Sequence, residues 1–404
     1  MNIRENYNHT LKASYVGYIT QAIVNNFIPL LFLTFQSTFG ISLEKITLLV
    51  TINFGIQLLV DLFSAKFVDR IGYRTAVVAA HIFAAAGLAG LGVFPDMVPD
   101  PYAGLLLCVC LYAIGGGLIE VLISPIVEAC PTEKKDAAMS LLHSFYCWGC
   151  VLVIVVSTGF FTVCGIENWR VMAILWSVVP AANAVFFTGV PIAMLTEEGQ
   201  GMSIGSLLKE RIFWVFAFLI VCAGASEQAM SQWASAFAES GLHVSKTLGD
   251  LAGPCMFAVL MGISRMFYAK CSEKMDLIKF MTGSGVLCVI SYLLAAFSGN
   301  PVLALAGCGL CGLSVGILWP GAFSLASARC PRGGTAMFAL LALAGDLGCS
   351  SGPTLVGFVS DSAGGSISAG LIAAIVFPLL LTVALSRVKR TKKTEHQSDF
   401  AELD

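Results

Sequence analysis

Gly115-Gly116-Gly117-Leu118-Ile119-Glu120-Val121-Leu122-Ile123-Ser124-Pro125 is the stretch whose reading decides the fold. It lies inside an apolar run from about Tyr102 to Cys130, long enough for a helix to cross a bilayer. A carboxylate in the middle of such a helix costs about 2.5–3.5 kcal/mol on insertion scales. That cost argues against an idle Glu120. On a helix Glu120, Ser124 and Glu128 share one face at four-residue spacing. The three glycines admit a neighbouring helix or a ligand close to the backbone. Pro125 breaks the hydrogen-bond ladder about a turn beyond the glutamate. The plain alternative is a glutamate permanently paired with a cation on another helix. We read a kinked membrane helix that presents a titratable group to a polar cavity.

Composition supports the same reading. The 404 residues are 57% hydrophobic and 12% charged, about half the charge of a soluble domain. A chain this apolar cannot cover itself with polar surface, so an integral membrane protein in contact with lipid is expected. The net charge of −2 gives no reason to expect a nucleic-acid partner. The 14 cysteines are scattered singly, mostly inside apolar runs, where cysteine behaves as a small hydrophobe. They suggest neither a disulfide framework nor a metal site. The first apolar run is too long for a cleaved signal and lacks a small-residue cleavage site, so the first span is expected to be retained.

Apolar runs predict twelve spans: 13–38, 44–67, 74–94, 102–130, 136–164, 169–193, 211–238, 247–270, 277–297, 301–328, 334–360 and 366–386. The longest polar break divides them. It predicts a six-helix unit over 1–194, a cytoplasmic linker over 195–210, a second six-helix unit over 211–387 and a disordered cytoplasmic tail over 388–404. Basic residues set the orientation. With the N-terminus in the cytoplasm, nearly every loop Lys and Arg falls inside, and Lys45, Arg170 and Lys246 fall outside. Both termini are then cytoplasmic.

The halves repeat. Phe63-Ser64-Ala65-Lys66-Phe67-Val68-Asp69-Arg70 ends the second span, and Phe267-Tyr268-Ala269-Lys270-Cys271-Ser272-Glu273-Lys274 ends the eighth, 204 positions on. Cys130-Pro131 and Cys330-Pro331 close the fourth and tenth spans at an offset of 200. Parallel halves of this kind place a substrate site near the midplane, at their interface.

Ala65-Lys66-Phe67-Val68-Asp69-Arg70-Ile71-Gly72-Tyr73-Arg74, after the second of twelve spans, resembles the signature of the major facilitator superfamily. Asp69, Arg70, Gly72 and Arg74 match it; Ala65 and Tyr73 depart from it. The resemblance implies an all-α membrane fold of two pseudo-symmetric six-helix bundles. It also implies a gate latch in this loop, capping helix ends and pairing across the halves in one state. Within the superfamily the chain is similar to the fucose/glucose-galactose permease group. That likeness rests on Val24-Asn25-Asn26, on Gly117-x-x-Glu120-x-x-x-Ser124-Pro125 and on Trp319-Pro320-Gly321-Ala322-Phe323-Ser324-Leu325-Ala326. It implies a role for Glu120 in proton coupling and sugar binding. Pro29 stands where the fucose symporters carry a first-helix acid.

Other polar residues inside the spans complete the expectation. Asp61 and Arg265 occupy equivalent places, 204 apart. They either pair across the cavity or each serve their own half, as a switchable ion pair, an anion anchor or a fixed bridge. Glu227, Gln228, Ser231, Gln232, Trp233 and Ser235 stud the seventh span, and amides beside an indole suit a polyol. The bland reading is packing glue between helices. Gln21, Asn25 and Asn26 are candidates for substrate hydroxyls, with Tyr18 nearby. Asp346 is a second costly carboxylate and a candidate protonation site beside Glu120 and Glu227. Trp319 is singled out because Pro320 kinks its helix. His143 is more often a satisfied core group, and His81 and Asn53 suggest only packing. No nucleotide-binding loop is present, so the proton gradient is the expected energy source, with no cofactor. The reading is a non-enzymatic, monomeric secondary transporter of a sugar or small polyol, in a bacterial inner membrane. The rivals are a multidrug or organic-anion carrier of the same fold and, in another class, a membrane sensor.

Overall fold

Several helices start where the sequence supplies a cap. In the computed structural model Asp100 Oδ1 accepts from the Tyr102 N–H at 3.0 Å, and Asn300 Oδ1 accepts from Val302 at 2.9 Å. Each cap is followed by a proline at the first helical position, where the missing N–H costs nothing. Ser42 and Ser245 cap the second and eighth helices the same way. The caps fall 200 and 203 positions apart, so the repeat is written into the helix starts as well as the helix ends.

The structure describes residues 4, 6–131, 135–193, 202, 204–271, 275–330 and 333–388. Within helices, the side chains of 65–67, 69–70, 135–140, 269–270, 334–336 and 338–339 lie outside that description, as do most of the predicted linker and nearly all of the tail. The principal helices are α1 (Tyr7–Phe39), α2 (Leu43–Ile71), α3 (Tyr73–Leu91), α4 (Pro101–Ala129), α5 (Lys135–Cys164) and α6 (Trp169–Gly189) in the first half. The second half holds α7 (Arg211–Gly241), α8 (Lys246–Tyr268), α9 (Leu277–Phe297), α10 (Pro301–Arg329), α11 (Gly334–Ser362) and α12 (Ile367–Arg387). Eleven segments are long and apolar enough to cross a membrane among the described residues, and α11, at 29 residues, fills the remaining predicted place. The fold is all-helical and spans the membrane many times. The first helix starts at Tyr7, capped by Asn6, rather than at residue 13. Its polar first turns are held to the bundle, with Thr10 bonded to the Pro191 carbonyl.

Several helices depart from regular winding, α10 at Gly316–Ile317 and α12 at Ile375 among them. α1 passes through a tight turn at Ile28–Leu31, around Pro29. α7 widens at Phe237–Gly241, and α8 widens at Leu251–Cys255, around Pro254. In α4 each glycine of the opening triplet receives a different neighbour. A Cβ at Gly115 would lie 2.5 Å from the Ala84 nitrogen on α3. One at Gly116 would press on Gln21 and Val24 of α1, and one at Gly117 on Gln57 and Val60 of α2. The triplet thus seats α4 against three helices at once and sets Glu120 one turn further along.

Within the first half α3 packs on α4 and α6, and α1 on α5; in the second, α7 packs on α11, and α9 on α10. The broadest contacts between the halves are α2 with α11 and α5 with α8, and α1 also meets α7. Shifting each helix number by six turns the first contact into the second, as an internal two-fold requires. On the side away from the chain termini (the far side) these seams are closed. The Thr51 and Thr354 hydroxyls bond α2 to α11. Thr158 donates to Asp250 at 3.0 Å, and Thr162 meets Thr247 at 3.0 Å. Lys246 donates to the Leu30 carbonyl at 2.6 Å and pairs with Glu239 and Asp250 of its own half at 3.1 and 3.2 Å.

Candidate functional site

At mid-depth the helices present polar groups to one another, and those groups form a continuous hydrogen-bonded chain. Glu120 on α4 accepts from the Gln21 amide of α1 at 2.9 Å. The same nitrogen reaches Gln57 Oε1 on α2 at 3.0 Å. The Gln57 amide donates to Asn25 at 2.9 Å and to Asn53 at 3.0 Å, and Asn53 donates to Asn25 at 3.2 Å. Gln232 on α7 then crosses the halves, donating to the Asn25 carbonyl at 3.0 Å and to Gln228 at 3.1 Å. Gln228 lies 3.5 Å from Glu227, and Glu227 lies 3.6 Å from the Arg265 guanidinium of α8. Arg265 also donates to the Gly316 carbonyl at 3.3 Å and to Cys147 Sγ on α5 at 3.4 Å.

Burial explains why the amides bond to each other. Gln21, Asn25, Asn53, Gln57, Gln228 and Gln232 are all buried, and a buried amide without partners costs about 1–3 kcal/mol. One acceptor is left over. Gln21 Oε1 is buried with no hydrogen-bond donor. A void of about 10 Å³ lined by Asn25, Asn53, Tyr112 and Gln232 has room for one water at most. The amides are therefore drawn together in this conformation.

Several expected site residues lie elsewhere. Trp233 is fully buried, bonds the Pro353 carbonyl at 3.0 Å and packs on Phe32, so it fills the core between α1, α7 and α11 instead of offering a face to the amides. Asn26 is satisfied by its own helix at the Ala22 carbonyl and by Cys150 Sγ on α5. Trp319 packs against Gly224, Gly345 and Phe323, where the glycines of α7 and α11 leave room for the indole. Of the two arrangements open to Asp61 and Arg265, direct pairing is absent. Arg265 serves its own half through Glu227, and the Asp61 carboxyl faces that of Asp346 on α11. Arg74 donates to the Phe187 and Thr188 carbonyls at 2.8 and 3.0 Å, capping the C-terminal end of α6. Both elements belong to the first half, so this contact is not across the halves. The side chains of Asp69 and Arg70 lie outside the described residues.

Three groups were missed. The sequence alone suggests only packing for Asn53 and does not single out Gln57, although Asn53, Gln57 and Asp61 repeat at four-residue spacing on α2. The same spacing drew attention to Gln228 and Gln232. Tyr18 bonds Ser124 at 2.9 Å and stacks edge-on with His143, ring centroids 5.5 Å apart, so His143 borders the site. Asp250 is fully buried, yet its place beside a predicted loop lysine gave no sign of that. His81 behaves as expected, held by the Val77 carbonyl and Asn183.

Comparison with known proteins places this geometry. No curated protein matches the sequence. Among solved structures, a bacterial homologue of the human lysosomal transporter Spinster, in an inward-facing and occupied conformation, superposes with a TM-score of 0.75 at 14% identity, covering 96% of this chain and 99% of that one. The E. coli fucose:proton symporter superposes at 0.65, with 16% identity and coverage of 94% and 98%. The peptide transporter POT, in complex with alafosfalin, superposes at 0.72, with 15% identity and coverage of 95% and 96%. These likenesses show the fold. The family model of the Major Facilitator Superfamily matches residues 15–353, most of the chain. The chain belongs to the Major Facilitator Superfamily of membrane transporters.

Proposed function

We propose that this transporter moves a small neutral polyhydroxylated solute, a sugar or close analogue, by proton-coupled alternating access. The observation that carries the reading is the unbroken run of amides from Glu120 in one half to Glu227 and Arg265 in the other. Amides both donate and accept, as a hydroxylated solute requires. When the halves part, Gln21, Asn25, Gln57, Gln228 and Gln232 lose each other as partners and regain them on substrate hydroxyls. The cation of the network, Arg265, already faces Glu227, which disfavours a simple anion as cargo.

Glu120 is the coupling group. Protonation from the far side lowers the cost of closing a dry site over it. The halves then reorient, and proton and solute leave on the terminal side. The protein works as a monomer in a bacterial inner membrane, with both termini in the cytoplasm. A zwitterionic solute is the second reading. It rests on the length of the Glu227–Arg265 pair, 3.6 Å, and on an arginine side chain 25% exposed, a pair that a carboxylate and an ammonium would complete.

A thermal-shift screen of purified protein against sugars, dipeptides, organic anions and lipophilic cations separates these. A ligand at a hundred times its dissociation constant adds about 2.7 kcal/mol of stability. Stabilisation by sugars supports the proposal. Stabilisation by dipeptides alone moves the assignment to the zwitterion, and by lipophilic cations alone to a drug carrier.

A further inference from the structure

One pair of carboxyl groups stands apart from the amide chain. Asp61 on α2 and Asp346 on α11 bring their carboxyl groups face to face across the seam between the halves, within hydrogen-bonding reach. Asp61 Oδ1 and Asp346 Oδ2 are both buried, and neither has a hydrogen-bond donor. Asp346 is only 5% exposed. Two carboxylate oxygens cannot bond each other, because each only accepts. A proton between them turns the contact into an O–H···O bond and removes one of two like charges from a partly buried site. Among the described residues no ion pair reaches either group, so no cation does that work.

The position gives the pair leverage. Asp61 lies one turn beyond Gln57 toward the terminal side, on the same face of α2. On the far side of the network the same two helices are already fastened by Thr51 and Thr354. Opening the terminal side while the far side stays shut therefore pulls Asp61 and Asp346 apart. The titratable groups that face the pair are Glu120 from α4 and Cys349 from α11 itself. The charge of Glu120 is of the sign that favours holding a proton here.

We propose that Asp61 and Asp346 form a proton-binding latch between the two halves. With one proton shared, the O–H of one carboxyl donates to the other and the seam is held. When that proton passes to water on the terminal side, two carboxylates remain and repel, and the terminal side opens. The latch rests on the reading of proton-coupled transport and adds a second proton-binding position to it, placed on the moving seam and not against the solute.

The test uses the full-length protein in lipid vesicles, with spin labels at Ile71 and Ser327 on the terminal ends of α2 and α10. The labels are attached through unnatural amino acids, because 14 native cysteines preclude thiol chemistry. In the wild type the long-distance population is expected to grow as pH rises. In Asp61→Asn/Asp346→Asn, which bonds without a proton and cannot repel, it is expected to stay short at every pH. Asp346→Asn alone keeps a donor in the pair and serves if the double variant does not fold. Wild-type pH dependence surviving in the variants overturns the latch, even with proton-driven uptake intact. A pH-dependent opening that the variants abolish, in a protein showing no proton-driven uptake, upholds the latch and removes the transport reading instead.

Discussion

The two halves of the site handle charge differently. In the first half Glu120 is hydrogen-bonded to an amide, Gln21 at 2.9 Å, and among the described residues it enters no ion pair. In the second half Glu227 meets a guanidinium at 3.6 Å. A carboxylate surrounded by amides can gain or lose a proton without stranding an opposite charge. One facing an arginine cannot. The repeat supplies two similar scaffolds, and the difference in partners makes one a candidate proton carrier and the other a fixed ion pair.

The sharpest way to break the contrast is Arg265→Ala. It leaves Glu227 buried without its cation, a loss of about 3 kcal/mol, taken at the low end because the arginine side chain is partly exposed. Arg265→Met combined with Glu227→Gln removes both charges and should recover most of that stability in thermal unfolding. Equal destabilisation of the single and double variants would show that the pair is incidental. Gln57→Leu probes the other half and should cost less, about 1–3 kcal/mol, by leaving Asn25, Asn53 and Gln21 short of partners. It should also weaken solute binding in the same thermal-shift assay. Unchanged binding would place the solute away from α2.

Much of the fold was legible because it rests on local chemistry. Membrane spans follow from apolar length, and the two-fold repeat follows from matched helix ends. Glu120 was legible because a carboxylate at that depth is costly whatever surrounds it. Its partners were harder to read. Gln57 and Asn53 matter through amides supplied by α1, and pairing between helices leaves no trace in the order of residues. Asp61 was legible as the counterpart of Arg265 in the repeat, with direct pairing as one of two arrangements, but Asp346 was not legible as its neighbour. The repeat put Arg265 at the matching place, whereas the packing of α2 on α11 decided the contact. Trp233 shows the converse error, since an indole beside amides reads as a sugar platform until its N–H is seen on the Pro353 carbonyl.

Coupling through Glu120 is the central claim, and a current measurement tests it most directly. Proteoliposomes on a solid support are exposed to a jump of the sugar selected in the thermal-shift screen, without any other gradient. Wild-type protein should give an inward transport current that grows at acidic pH. Glu120→Gln, which keeps the hydrogen bond to Gln21 by rotation of its amide, should still bind the sugar and still exchange it between compartments, with the current lost at least tenfold. A current of wild-type size and pH dependence in Glu120→Gln would contradict the account.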